Sequence, residues 1–189
     1  VPMLNVVGRG IHGQAPAHEE SFVVTEALEG MVSLEQLTQN WSSLSPNQRL
    51  ALKRELIRQV ATIARTIHRN GLNHRDFYLC HFLVKDRDWN EWQPADSLML
   101  HVIDLHRMQH RPAVPERWWV KDIAGVLFSA LDCDLTRNDL LRFSKIYWEG
   151  SVRELLGERQ GVLQKIYCKA RKLYASIHDR EAPDPVANS

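Results

Sequence analysis

The sequence predicts an α+β fold in which helices dominate, and three observations predict it. Two short β-rich stretches stand near the start. A long amphipathic segment with clear boundaries follows, and a second pair of strand-like runs interrupts the helices once before only helical patterns remain. No internal repeat or low-complexity tract appears.

The elements read in order as follows. Met3 to Val7 is a short apolar strand, ended by Gly8 and Gly10, and IHGQAPAHEE is a Gly/Pro loop. SFVVTEAL (21–28) is β-rich, and Glu29-Gly30 punctuates it. Ser33 followed by Gln36 is a capping-box signal and predicts a short helix over 34–41. Ser45 and Pro46 open the strongest helix, with Gln48 completing a second box. Leu52, Leu56, Ile57, Val60, Ile63, Ala64 and Ile67 form its apolar stripe, and Gly71 supplies the stop, so it should run over about 46–70. HFLVKD and SLMLHVID (97–104) are two strands of a hairpin, separated by a polar loop with Trp89, Trp92 and Pro94. The two prolines of RMQHRPAVPER predict a loop. Helices follow at 121–131, from the Thr136–Asp139 box to about Trp148, at 151–156 and at 161–178, before a frayed tail.

Composition excludes several classes. The net charge of +1 lacks the strongly basic balance of a general nucleic-acid binder. No apolar run reaches the roughly 18 residues of a membrane span, and no export signal opens the sequence. The three cysteines are far apart and outside CxxC pairs, which fits a reducing compartment. Residues 1–45 carry only Arg9 against Glu19, Glu20, Glu26, Glu29 and Glu35, so the remainder is the basic part, as suits a partner of anionic ligands.

Two aspartates carry the candidate chemistry. His74-Arg75-Asp76 lies in the turn after the long helix, and Val102-Ile103-Asp104 ends an apolar strand 28 residues beyond Asp76. Phosphoryl transfer from ATP needs one carboxylate to orient the accepting hydroxyl and another to hold the magnesium that bridges the phosphates. HRD after a long helix, followed by a hairpin ending in two apolar residues and Asp, meets that need.

NHRDFYLCHFLV, VIDLHRMQ and RWWVKDIAGVLFSALDCDLTRNDLLRF together resemble the lipopolysaccharide core heptose kinases, relatives of the protein kinases. The resemblance implies a protein-kinase-like fold, mainly its helical C-lobe with the hinge end of the N-lobe. Residues 1–30 would be a remnant of N-lobe and hinge, 31–180 the C-lobe and 181–189 a tail. It implies ATP and Mg²⁺ as cofactors, with Asp76 as catalytic base, His74 and Arg75 beside it, and Asp104 as the metal ligand. Glu26 and Leu28 match the hinge that pairs with adenine, and Asp122 matches the helical aspartate that anchors the catalytic loop. His81 stands where the family's relatives place a metal-binding Asn; an imidazole is a poor ligand for hard Mg²⁺. Leu105-His106 replace the usual Phe-Gly.

The acceptor implied is the lipopolysaccharide core, at the inner face of the inner membrane, with peripheral membrane contact, no nucleic acid and protein partners unspecified. Arg107, Arg111 and Arg117 are candidates to grip its anionic groups. One of Trp118 and Trp119 is expected to pack in the core. No Gly-rich phosphate loop and no strand lysine precede SFVVTEAL, so the N-terminal part of such a kinase is expected to be missing and these residues alone to be inactive. Two other readings fit the residues: a kinase of another small molecule, such as a Kdo sugar or an aminoglycoside, and a catalytically silent interaction module.

Overall fold

The computed structural model describes residues 5–12 and 20–187. Strands β1 (Val6–His12) and β2 (Glu20–Thr25) pair antiparallel, with Arg9 opposite Val23. Gly8 and Gly10 do not end β1, as their turn chemistry suggests, but lie within it. The pairing is irregular between Val6 and Gly8. At Gly10 the Phe22 ring crosses the backbone so closely that a Cβ would lie 2.3 Å from it. Here the glycine makes room for a cross-strand aromatic. The first residues of the strand expected at 3–7, and residues 13–19 of the loop, lie outside the described residues.

After residues 26–30 comes β3 (Met31–Ser33), three residues and too short for any periodicity to show. It leads into α1 (Leu34–Asn40), whose Ser33–Gln36 capping box is formed in both directions. The long helix α2 spans Pro46–Arg69, with Ser45 accepting from the Gln48 N–H. Only half of that second box forms. The Gln48 side-chain amide instead donates to the carbonyls of Asn90 and Trp92, pinning the 89–96 loop to the start of the helix. Leu52, Leu56, Val60, Ile63, Ala64 and Ile67 are buried, while Ile57 at the edge of the stripe is half-buried.

Beyond α2 lie β4 (Leu72–Asn73), β5 (Phe82–Lys85), β6 (Leu100–Val102) and β7 (Gln109–His110). β5 is the centre of an antiparallel sheet in the order β3-β5-β6, with Phe82 opposite Val102. β4 pairs with β7 as a second small sheet. That pairing depends on Gly71 (φ +74°), where a Cβ would fall 1.9 Å from the Arg111 carbonyl oxygen.

The next helix, α3, covers Glu116–Ala130 and so starts five residues before the expected 121. Pro115 is its N-cap: a proline that reads as loop composition is here the boundary itself. α4 (Arg137–Trp148), α5 (Val152–Glu158) and α6 (Gln160–His178) complete the helical body. α2 packs on α4, and α3 on α6. The tail is docked rather than frayed as far as residue 187. Asp184 accepts from the Tyr167 hydroxyl at 2.5 Å and pairs with Arg171, while Ala182 is buried against Leu131 and Tyr174.

The core gathers around α2 and reaches the loop that follows β4, through Phe77, Leu79 and Phe82. Gly125 lets α3 run close beneath that loop, since a Cβ there would approach the Phe77 carbonyl to 2.9 Å. The loop is thus clamped between a helix and a hairpin.

Candidate active site

Asp122, on α3 and fully buried, organises the loop carrying His74, Arg75 and Asp76. Its carboxylate accepts from the backbone N–H of His74 at 2.7 Å and of Arg75 at 2.8 Å. It also faces His68 Nε2 at 3.2 Å, and His68 Nδ1 lies 2.8 Å from the Tyr147 hydroxyl. Burial, with Asp122 nearby, pushes the Tyr147 phenol far up, so it stays a donor. The consistent arrangement has Tyr147 O–H donating to Nδ1 and Nε2–H donating to Asp122. This relay holds Arg75 in the left-handed region (φ 78°), strain that the neighbouring bonds must sustain.

His74 is completely buried, and its Nε2–H donates to the carbonyl of Ile103 at 2.9 Å. Burial lowers its pKa, which favours the neutral ring. It therefore ties the Asp76 loop to the strand end that presents Asp104, and no proton path to solvent is needed to explain it.

Asp104 also adopts a left-handed backbone (φ 61°, ψ 49°). Its carboxylate lies between two imidazoles, 3.3 Å from His81 Nε2 and 2.5 Å from His106 Nδ1. His81 donates its Nδ1–H to the Asp76 carbonyl at 2.7 Å and stacks on His74. His81 thus bridges the two acidic loops. An Asp104 oxygen is the hard donor that Mg²⁺ prefers, and Mg²⁺ commonly takes only one or two carboxylates plus substrate phosphates. The donor set therefore fits one metal held with the nucleotide.

The Asp76 carboxylate is 2.9 Å from the Arg107 guanidinium and 4.0 Å from Lys121 Nζ. Arg107, expected on the acceptor, is tied to Asp76 instead. Lys121 was missed, although its place directly before Asp122 on an α3 face turned to the loop could have signalled it. Arg75 points its guanidinium away, 5.3 Å from the Trp118 ring centre. Of the two tryptophans, Trp119 packs among Tyr147 and Trp148.

In the segment expected to be the hinge, Glu26 N–H donates to the Asn5 carbonyl at 3.0 Å and extends the β1–β2 ladder. The backbone N–H of Leu28 has no partner among the described residues. Residues 26–30 lead into β3, and Asp104 follows β6 of the same β3-β5-β6 sheet.

A helical body under a small sheet, with one carboxylate on the loop after the long helix and another at the hairpin's end, is the helical part of a protein-kinase-like fold. The sequence profile of the lipopolysaccharide kinase (Kdo/WaaP) family matches residues 1–147. The chain belongs to that family. It is 45% identical over 174 residues to a lipopolysaccharide core heptose(I) kinase WaaP of Pseudomonas aeruginosa, covering 92% of this chain and 63% of that protein. It is 40% identical over 167 residues to the enzyme of the same name from Escherichia coli, covering 88% and 61%. A solved structure, WaaP in complex with acyl carrier protein, matches with a TM-score of 0.80 and 43% identity, over 92% of this chain and 70% of the other. The chain therefore spans a little over three-fifths of the length of the curated relatives it matches.

Proposed function

We propose that the protein to which these residues belong transfers the γ-phosphoryl group of ATP to a heptose hydroxyl of the lipopolysaccharide inner core. The observation that carries this reading is the pair Asp76 and Asp104, presented by loops that His81 and His74 bind together over Asp122. The acceptor oxygen attacks the γ-phosphorus, the bond to the β-phosphate oxygen breaks, and ADP leaves with its charge. Asp76 orients the hydroxyl and takes its proton, for which the carboxylate must exchange Arg107 for the substrate. Asp104 would hold Mg²⁺, which neutralises charge on the phosphates. His74 and His81 keep the two carboxylates in register, and Arg75 shapes the loop through its backbone. Glu26 and Leu28 are the backbone edge for adenine. No helix among the described residues is long and apolar enough to cross a membrane, and work on a membrane-borne acceptor at the inner face of the inner membrane calls for peripheral contact.

The test is incubation of the full-length protein with ATP, Mg²⁺ and dephosphorylated core oligosaccharide, followed by mass spectrometry. A gain of one phosphate on heptose supports the reading; transfer only to a Kdo sugar or an aminoglycoside moves the protein to another acceptor. No transfer to any of them leaves the interaction module as the better account.

A second reading concerns a protein partner. The relative solved with acyl carrier protein makes that carrier the first partner to test here. The feature that favours it is an apolar cavity of about 550 Å³ lined by Leu56, Val60, Ile123, Val126, Leu163 and Ile166, among others, which has the chemistry to receive an acyl chain. Co-purification of acylated but not unacylated carrier checks it.

A further inference from the structure

Three arginines surround one indole. The guanidinium carbons of Arg75, Arg111 and Arg117 lie 5.3, 5.6 and 5.3 Å from the centre of the Trp118 ring. None of the three has a carboxylate partner among the described residues, a trait they share with exposed arginines such as Arg54 and Arg153; what sets them apart is that all three gather on one ring. Arg111 donates only to neutral oxygens, Oδ1 of Asn73 at 2.7 Å and Oε1 of Gln109 at 2.5 Å. The Nε of Arg75 and the Nε1 of Trp118 are both buried without an acceptor. Nearby acids are committed elsewhere: Glu116 to Lys165, Asp76 to Arg107, and Asp122 to backbone N–H groups.

Attraction to the ring face explains why a guanidinium stays near Trp118, but not why three like charges collect there with unfilled donors. A planar fork with free N–H groups fits a carboxylate or phosphate in bidentate fashion, and several forks around one point fit it better. We propose that Arg75, Arg111, Arg117 and Trp118 form a seat for an oxyanion, carboxylate or phosphate, carried by the acceptor next to the hydroxyl that is phosphorylated. Placement favours the acceptor over the nucleotide. The seat adjoins the β4–β7 pair and the start of α3, whereas Glu26 and Leu28 precede β3 and Asp104 follows β6 of the β3-β5-β6 sheet. Asp76 adjoins Arg75 in the chain, and its carbonyl meets His81, which faces Asp104. The role of the anion as part of the acceptor rests on the kinase reading; the seat itself does not.

The test uses full-length protein and the variants Arg117→Gln and Arg111→Gln, with Trp118→Phe as a spectroscopic control. Arg117 is exposed at the start of α3 and its substitution leaves packing intact. Each arginine variant should raise the KM for anionic core acceptor roughly tenfold or more at low salt, the worth of a charge-assisted bond. The penalty should shrink as salt rises, with kcat and the KM for ATP unchanged. Acceptor with reduced carboxyls and no phosphate should show no penalty. Inorganic phosphate should quench wild-type tryptophan fluorescence, lose that effect in Trp118→Phe and both arginine variants, and compete with acceptor but not with ATP. Quenching without competition would show a seat for free anion and overturn the acceptor assignment. Unchanged KM and no quenching would overturn the seat altogether. If wild type has no turnover on any acceptor, the kinase reading fails by itself, and the phosphate titration still decides whether the seat exists.

Discussion

The two acidic loops are built on opposite principles. Asp76 sits on a loop whose backbone is fixed from below by a fully buried carboxylate and whose own side chain meets cations, Arg107 and Lys121. Asp104 sits at a strand end in left-handed backbone, and its side chain meets imidazoles, His81 and His106. A carboxylate among cations is held for charge that passes near it. One among imidazoles has partners that a divalent cation can displace. The difference supports the proposal that the first loop serves the acceptor and the second a metal, and that proposal can be broken at several points.

The largest expected effect is on turnover. Asp76→Asn keeps the size of the side chain and removes the proposed base, so on the proposed kinase reading kcat of the full-length protein should drop by roughly 10²–10⁴ with nucleotide affinity nearly unchanged. Asp104→Ala should do the reverse in binding, abolishing the Mg²⁺ dependence of ATP affinity while metal-free nucleotide binding persists. Isothermal titration with and without Mg²⁺ separates the two. If both substitutions gave the same binding defect, the division of labour would be wrong.

Next comes stability. Asp122→Ala strips the partner from the buried His74 N–H, the part-buried Arg75 N–H and His68 together. A loss of about 3–5 kcal/mol in denaturant unfolding is expected. Asp139→Ala on α4 offers a matched control away from the site. Burial pushes its carboxyl up, but hydrogen bonds from Lys53 and Thr136 outweigh that and hold it low. Its loss should destabilise the fold to a similar degree while leaving the KM values alone in folded protein. Equal effects on catalysis from both variants would argue that Asp122 acts only through global stability.

The same comparison explains what could be read in advance. The His74-Arg75-Asp76 turn, the Val102-Ile103-Asp104 strand end and the helix caps at Ser33 and Thr136 are local patterns, and local patterns survive in sequence. β3 and the β4–β7 pair are two or three residues each, held by long-range partners, so no period exists to detect. The first turn of α3 was hidden by proline, which marks loops and helix starts alike. The ring of arginines on Trp118 joins positions 75, 111, 117 and 118, and the contacts of Arg107 and Lys121 with Asp76 span 31 and 45 positions. Only folding brings such pairs together.

The smallest effect expected lies at His74, between the two loops, and its sign follows from burial. The ring's ordinary pKa is 6.5, and burial outweighs the Ile103 carbonyl and nearby carboxylates to lower it in the folded protein. Above about pH 6.5 the ring is neutral in both folded and unfolded chains and adds no pH dependence. Below it, the unfolded chain takes up a proton that the folded chain refuses. Stability should therefore fall as pH drops from 6.5 toward the lowered value, by at most about 1.4 kcal/mol per pH unit for one group. His74→Gln keeps a side-chain donor for the Ile103 carbonyl but does not titrate. Wild type and variant, unfolded in urea at closely spaced values between about pH 5 and 7.5, should diverge in slope below 6.5 and run parallel above it. Parallel curves throughout would mean that the folded site accepts the proton. His74 would then be a charged member of the Asp76–Asp104 pair, no longer the neutral strut that holds the two loops apart in chemistry and together in space.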